Sequence, residues 1–315
     1  MDFLDLAAPI EKIVEVVSTT SETVLIALAM TVLFSLYKGL SYGWNLAFPQ
    51  KSISGMITTY AIYVLNMLFG PIALLSVYWL HGVYEEYNLQ LIPTSFWSDI
   101  PFWIAGILAI ICYDFADYWN HRIMHNKWLW PIHAIHHSDE HVNCMTTFRV
   151  HFLEVVFMKI SYIFIVSWAG FSPEAAAFGA VLKTIHSFYV HGDVDWTHGP
   201  FKLFIASPRF HRWHHANYPE AFGKNLSNVI PFWDYVFGTY YDPGACKKKM
   251  GADGVPHADP IRLITFPFIE WAKMIKAALI KTDVSTALEH EKKCAELEQS
   301  HEPSKLQHSL DGEKS

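Results

Sequence analysis

Histidines supply most of the chemistry that the middle of this chain could perform. Thirteen of its 18 histidines lie between residues 121 and 215. Eight of them fall into three tight groups, which are His121 and His125; His133, His136 and His137; and His211, His214 and His215. Neutral imidazole is a preferred ligand of zinc, iron, copper and nickel. Eight such ligands exceed the needs of one tetrahedral ion, so the pattern predicts a centre with more than one metal ion.

The spacing within each group is helical, because residues three and four apart share a helix face. His121 and His125 should therefore point the same way, as should all three histidines of each HxxHH group. A structural zinc site usually includes paired cysteines, whereas the four cysteines here are scattered and form no CxxC pair. We expect an all-nitrogen ligand set, which suits iron used for oxygen chemistry as well as zinc.

The rest of the sequence indicates a membrane protein, with 52% hydrophobic and only 17% charged residues. Apolar stretches near the length of a membrane helix lie at 24–37, 56–80, 101–119, 152–170 and 173–190. The last two contain charged residues and are predicted to form a hairpin that dips into the bilayer. The predicted fold is an all-α integral membrane protein with four to five membrane helices, some re-entrant, and a cytoplasmic helical cap that holds the dimetal site.

Loop charges orient these segments. Residues 1–23 are rich in acids and residues 81–100 carry acids only, whereas residues 38–55 carry only Lys38 and Lys51. The positive-inside rule then places the histidine groups in the cytoplasm. No cleavable signal peptide is expected at the acidic N-terminus. A multi-pass protein of a bacterial inner membrane is favoured over one of the endoplasmic reticulum, and the net charge of −7 argues against nucleic acid as a partner.

Four regions are predicted from composition. Residues 1–100 form N-terminal membrane helices, and residues 101–245 form the catalytic region. Residues 246–281 form a linker and an amphipathic helix, which either lies in the cytoplasmic interface or packs against the protein. Residues 282–315 are polar and charged and are predicted to be a disordered tail.

The ordered motifs resemble those of the fatty acid hydroxylase superfamily, also called the sterol desaturase family. The resemblance covers roughly residues 100–245. It is carried by DFADYWNHRIMH at 114–125, HAIHHS at 133–138, SPRFHRWHH at 207–215, and the downstream segments GKN at 223–225 and WDYVFGTY at 233–240. It also implies a ninth ligand, His191, where Gly192 and Asp193 replace the residues usual in the family.

The resemblance implies a membrane-bound non-heme di-iron oxygenase that uses O₂ to hydroxylate a C–H bond of a fatty acyl chain, sterol or related lipid. Its cofactor would be two iron ions, which zinc can replace on purification. Ligand imidazoles usually donate their second N–H to a carboxylate or carbonyl, and Asp114, Asp117 and Asp234 are the candidates for that role. No heme-binding HPGG motif or ferredoxin-like cysteine pattern occurs. Electrons must therefore come from a separate donor of the cytochrome b5, ferredoxin or reductase type.

Three alternatives stay open. A desaturase of the same family would begin with the same hydrogen abstraction. A non-enzymatic metal-binding membrane protein, such as a transporter, would place its ligands between broken helices near the bilayer midplane, whereas here they follow the third apolar segment. A zinc hydrolase would need a carboxylate base beside a three-ligand site, and the sequence contains no HExxH motif.

Overall fold

The computed structural model describes residues 7–46, 50–69, 79–80, 82–84 and 86–300, and this part of the chain is helical. One isolated antiparallel bridge joins Ala216 to Met250. The predicted all-α fold is confirmed. The helices are α1 (Ala7–Tyr42), α2 (Gln50–Met67), α3 (Thr94–Trp97), α4 (Phe102–Met124), α5 (Trp130–His137), α6 (Phe152–Trp168), α7 (Pro173–Val190), α8 (Pro208–His214), α9 (Phe232–Val236) and α10 (Pro260–Ser300).

Close packing of α4 against α7 fixes the helix that carries the first two histidines. Small residues make this possible, since a Cβ atom added at Gly179 would lie only 2.6 Å from the carbonyl oxygen of Gly106. Ala105, Ala109 and Ala175 are buried in the same contact region. Neither glycine could gain a side chain without pushing the backbones apart. The lack of side chains at these positions therefore allows α4 to pack closely against α7.

The N-terminal helices pack on the segment that follows the second histidine group. Val24 and Ala27 of α1 are buried with Cys144 and Met145, which belong to a 3₁₀ turn at Cys144–Phe148. In α2, Ile62 is buried together with residues of α5 and the first turn of α10. The second contact packs α2 and the start of α10 against Ile135 of α5.

Two helices among the described residues are long and apolar enough to cross a membrane, namely Glu22–Tyr42 within α1 and Phe102–Met124. They coincide with the first and third predicted segments. The second predicted segment is helical to Met67, and its residues 70–78 lie outside the described residues. The number of crossings, the hairpin at 152–190 and the cytoplasmic side of the centre stay predictions.

The chain divides into two compact units, Met1–Pro267 and Phe268–Ser315. The amphipathic helix predicted within residues 246–281 begins at Pro260, but α10 runs on to Ser300, into the segment predicted to be disordered. The physical reason is local. Residues 286–298 are rich in Ala, Leu, Glu and Lys, which have high helix propensity. Residues 301–315 lie outside the described residues.

Candidate metal centre

The ends of long helices and two short helices present the histidines to one buried region. His121 lies in the last turn of α4, and His125 is its C-terminal cap. The HxxHH groups lie on α5 and α8, each of which begins with a proline in its first turn, where the missing N–H costs nothing. Ser207 caps α8 by accepting a hydrogen bond from the amide of Phe210 at 3.3 Å.

The nine predicted ligands come together in two groups of ring nitrogens. Within each group, one nitrogen of every imidazole lies within 4.8 Å of the others. The first nitrogen group comprises His121, His125, His133, His137 and His214. The second nitrogen group comprises His136, His191, His211 and His215.

Each HxxHH motif divides its histidines between the two groups. On α5, His133 and His137 join the first group and His136 joins the second. On α8 the roles are reversed, because His214 alone crosses to the first group. Positions i+3 and i+4 lie about 100° apart around a helix, so they can serve different centres. The expectation that all three histidines of a motif point to one place is therefore wrong in detail.

Outward hydrogen bonds fix the tautomers of three rings in the first group. The Nδ1 atoms of His121 and His214 lie 2.7 and 2.8 Å from the carbonyl oxygens of Leu226 and Lys224. A carbonyl only accepts, so Nδ1 must donate. The Nδ1 atom of His133 lies 2.9 Å from Oε1 of Glu154, and it donates to this oxygen when Glu154 is ionised. Each of these rings therefore directs an unprotonated Nε2 inward.

The inward nitrogens are too close to one another without a cation between them. The Nε2 atoms of His121 and His133 are 2.8 Å apart, yet neither carries a proton to share. In the second group, Nδ1 of His191 donates to the carbonyl of Ser187 at 2.7 Å. Its Nε2 faces that of His211 at 2.9 Å. Converging lone pairs of this kind fit a metal ion in each group.

Burial keeps these imidazoles neutral. It lowers the pKa of His191 from 6.5 to about 4. Burial, reinforced by neighbouring histidines, lowers the pKa well below 6.5 for His125, His133, His136, His137, His211, His214 and His215. The cause is the cost of charging a ring in a medium of low polarity. At pH 7 their lone pairs are free to bind a metal.

A shaped loop supplies the carbonyl groups behind His121 and His214. Asn225 has a left-handed backbone with φ of 56°. Its side-chain amide donates to the carbonyls of Phe210 and Tyr241 at 2.8 and 2.7 Å. The carboxylate of Asp234 accepts from the amide of Leu226 at 2.7 Å. Asp234 thus holds the loop that orients His121 and does not bond to the ring itself.

The other two predicted aspartates also bond elsewhere. Asp114 accepts from the amides of Val229 and Ile230 at 2.7 and 2.8 Å, which ties the same loop to α4. Asp117 forms an ion pair with Lys183 at 2.6 Å and accepts a hydrogen bond from Tyr162. Both are buried and join α4 to its neighbours.

The carboxylate that does reach an imidazole is Glu154, which sequence reasoning treated only as an interruption of an apolar segment. A buried acid in such a segment is itself a functional signal. A second residue missed in the same way is Arg149, whose side chain is fully buried. Its Nε donates to Oγ of Ser138 at 2.8 Å, directly after the second histidine group.

Four further histidines in this region lie outside both nitrogen groups. His198 has Nε2 3.3 Å from the hydroxyl of Tyr189, and His186 packs on the same tyrosine. His151 caps α6 and bonds to the carbonyl of Ile264 at 3.0 Å. The fourth is His141, whose amide donates to Asp139.

Comparison with known proteins matches residues 106–239 to the fatty acid hydroxylase family. The matched region includes all the histidine motifs and both loop-holding aspartates, Asp114 and Asp234. This region belongs to the fatty acid hydroxylase superfamily. The predicted family resemblance is confirmed.

Relatives within the superfamily have names from lipid chemistry. Human alkylglycerol monooxygenase (Homo sapiens) is 30% identical over 198 residues, which cover 61% of this chain and 42% of that protein. Ornithine lipid hydroxylase OlsE of Rhizobium tropici is 31% identical over 48% of this chain and 46% of its own length. Methylsterol monooxygenase 2-2 of Arabidopsis thaliana is 27% identical over 47% of this chain and 55% of its own. The match to each of the first two spans less than half of the relative, and no solved structure matches the chain significantly.

Proposed function

We propose that this chain is a membrane-bound non-heme di-iron oxygenase that hydroxylates a C–H bond of a lipid with O₂ and electrons from a separate donor. The observation that carries the proposal is the pair of nitrogen groups, in which eight buried imidazoles and the half-buried His125 converge. Monooxygenase and hydroxylase in the names of the relatives support the reaction class.

The proposed reaction, and not the ligand set alone, favours iron over zinc. Imidazole suits both iron and zinc, but hydroxylation of an unactivated C–H bond needs a redox-active metal. Two ferrous ions bound here would supply reduction of O₂ and abstraction of hydrogen from the substrate. Because such a site binds zinc more tightly than ferrous iron, activity should follow iron loading.

The protein's part is to bind, orient and exclude water. Glu154 holds the proton on Nδ1 of His133, so that Nε2 stays a ligand. Leu226 and Lys224 do the same for His121 and His214 through their carbonyls. Burial of both nitrogen groups keeps bulk water from the reacting atoms. We assign Asp114 and Asp234 as positioning residues for the loop, and Asp117 as one for α4.

The position of the centre suits a lipid substrate. His121 lies at the end of a helix that qualifies as a membrane span. An acyl or sterol group could therefore approach from the bilayer, and an electron donor from the polar side. We place that polar side on the cytoplasmic face of the membrane, and we favour a bacterial inner membrane over the endoplasmic reticulum.

The test is untargeted lipid mass spectrometry of cells that express the wild-type chain or its His136→Ala, His137→Ala variant. This variant removes one ligand from each nitrogen group. A lipid that gains one oxygen only with the intact chain is the expected result. A lipid that loses two hydrogens instead would identify a desaturase. No difference, even after a donor system is co-expressed, would contradict the proposal.

A further inference from the structure

The region around the end of α4 carries exposed apolar side chains that the proposed chemistry does not use. On α9, Phe232, Tyr235 and Val236 are 42%, 63% and 52% exposed. The helix lies along the last turns of α4, since the rings of Trp233 and Phe115 are 5.2 Å apart. A cluster of large exposed apolar residues on one short helix marks an interaction surface.

The exposed apolar surface of α9 continues one that runs along α4. Exposed large apolar residues recur at every fourth position on most of α4, at Trp103, Ile107, Ile111, Trp119 and Ile123. A helix that crosses a bilayer presents such side chains to lipid. The last of them stand beside α9, where Trp119 contacts Phe237 with ring centroids 5.0 Å apart. We therefore expect the exposed apolar side chains of α9 to contact the same bilayer.

Two cations lie at the C-terminal end of α9. Arg122 donates to the hydroxyl of Tyr118 at 2.8 Å and to the carbonyl of Phe237 at 3.4 Å. Lys224 donates to the carbonyl of Gly238 at 3.3 Å. Within the part of the chain that the structure describes, neither side chain pairs with a carboxylate. Their remaining donors are available to an anion.

We propose that α9, the last turn of α4 and these two cations form an interfacial surface that lies in the headgroup layer of the bilayer. Arg122 and Lys224 bind the phosphate of an anionic phospholipid there. Tyrosine and tryptophan favour this layer, and basic residues near it attract anionic lipids.

This surface would set the depth of the metal centre in the bilayer. Arg122 follows His121 directly, and the backbone carbonyl of Lys224 holds His214. A lipid phosphate bound by these two residues therefore fixes the centre a short distance from the headgroups. The inference goes beyond the proposed reaction, since it concerns a bound lipid that is not the substrate.

The test uses the purified full chain in detergent, titrated with short-chain phosphatidylglycerol or phosphatidylcholine, with bound lipid counted by native mass spectrometry. Wild type should prefer phosphatidylglycerol. The Arg122→Gln, Lys224→Gln variant should bind it about 30-fold more weakly, with binding of phosphatidylcholine unchanged. The matched control is Lys247→Gln, Lys249→Gln, which removes the same charge from exposed positions elsewhere.

Two outcomes would overturn the inference. One is equal binding of the two lipids by wild type, and the other is an equal loss of phosphatidylglycerol binding in the control variant. If Arg122→Gln disturbs folding, shown by lost metal content, Lys224→Gln alone should still weaken binding about fivefold, and an unchanged affinity would count against the surface. Because no turnover is measured, failure here is distinct from failure of the proposed reaction.

Discussion

The two nitrogen groups differ in what lies behind their imidazoles. In the first group, three rings donate outward, to Leu226, Lys224 and the carboxylate of Glu154. In the second group, His191 donates to a backbone carbonyl. The Nδ1 atoms of His211 and His215 are buried and have no hydrogen-bond partner among the described residues.

This difference predicts unequal metal sites. A carboxylate behind a ligand imidazole raises its basicity and offsets the charge of the ion. Glu154 provides this at the first group, whereas no described carboxylate bonds to a ring of the second. We expect the first group to bind its ion more tightly, so that a metal titration fills the two sites in separate steps.

The largest effect on activity is expected when one ligand is removed from either group. His136→Ala and His214→Ala should each reduce lipid oxidation to background with little loss of membrane insertion, since one ion alone cannot complete the reaction. Product formation by mass spectrometry measures this. His198→Ala is the matched control, because its ring bonds to Tyr189 and joins neither group. Substantial activity in either ligand variant would mean that one group is dispensable.

Removing the charge of Glu154 should erase the difference between the sites. Glu154→Gln should weaken metal binding at the first group by about 10- to 100-fold and leave the second unchanged. Titration with cobalt, followed by its visible absorption, would show the two steps merging. Glu174→Gln, which removes a charge from an exposed position on α7, should leave the steps apart. An unaltered first step in Glu154→Gln would show that the carboxylate does not tune the site.

The metal-free protein should lose stability in mild acid. Because the pKa of His191 falls from 6.5 to about 4 on folding, the unfolded chain binds more protons between those values. Stability is therefore full above pH 6.5 and falls as the pH drops toward 4. Between pH 7 and 5.5, each such imidazole should lower the free energy of unfolding by about 1 kcal/mol. Denaturant unfolding of metal-free protein measures this, and a constant free energy of unfolding across that range would contradict it.

The smallest effect is expected at Asp193, which belongs to the second group's surroundings. It pairs with Arg212, next to His211, at 2.6 Å and with Lys38 of α1. Partly exposed ion pairs contribute little. Asp193→Asn should therefore weaken only the second step of the cobalt titration, by about twofold to fivefold. Equal weakening of both steps would show that the two groups are not independent.

The sequence was sufficient to predict which histidines gather and that helices present them. The HxxHH spacing predicts α5 and α8, and apolar length predicts the span in α4. Division of each motif between two groups was not predictable, because it depends on how α5 and α8 face each other.

The hydrogen-bond acceptors behind the imidazole rings could not be predicted, for a related reason. Leu226 and Lys224 act through backbone carbonyls, which carry no side-chain signature. Leu226 also lies 105 residues from His121 in the sequence. Glu154 was visible as an acid in an apolar segment, but only the packing of α6 against α5 brings it to His133. The aspartates were recognisable as buried acids, yet their partners are loop amides and a lysine.

The proposed function requires that these histidines support insertion of an oxygen atom from O₂ into a lipid. Growth of expressing cells under ¹⁸O₂, followed by lipid mass spectrometry, tests this requirement. We expect a hydroxylated lipid that carries one ¹⁸O atom and is absent with His136→Ala, His137→Ala. A product oxygen that comes from water instead would contradict it.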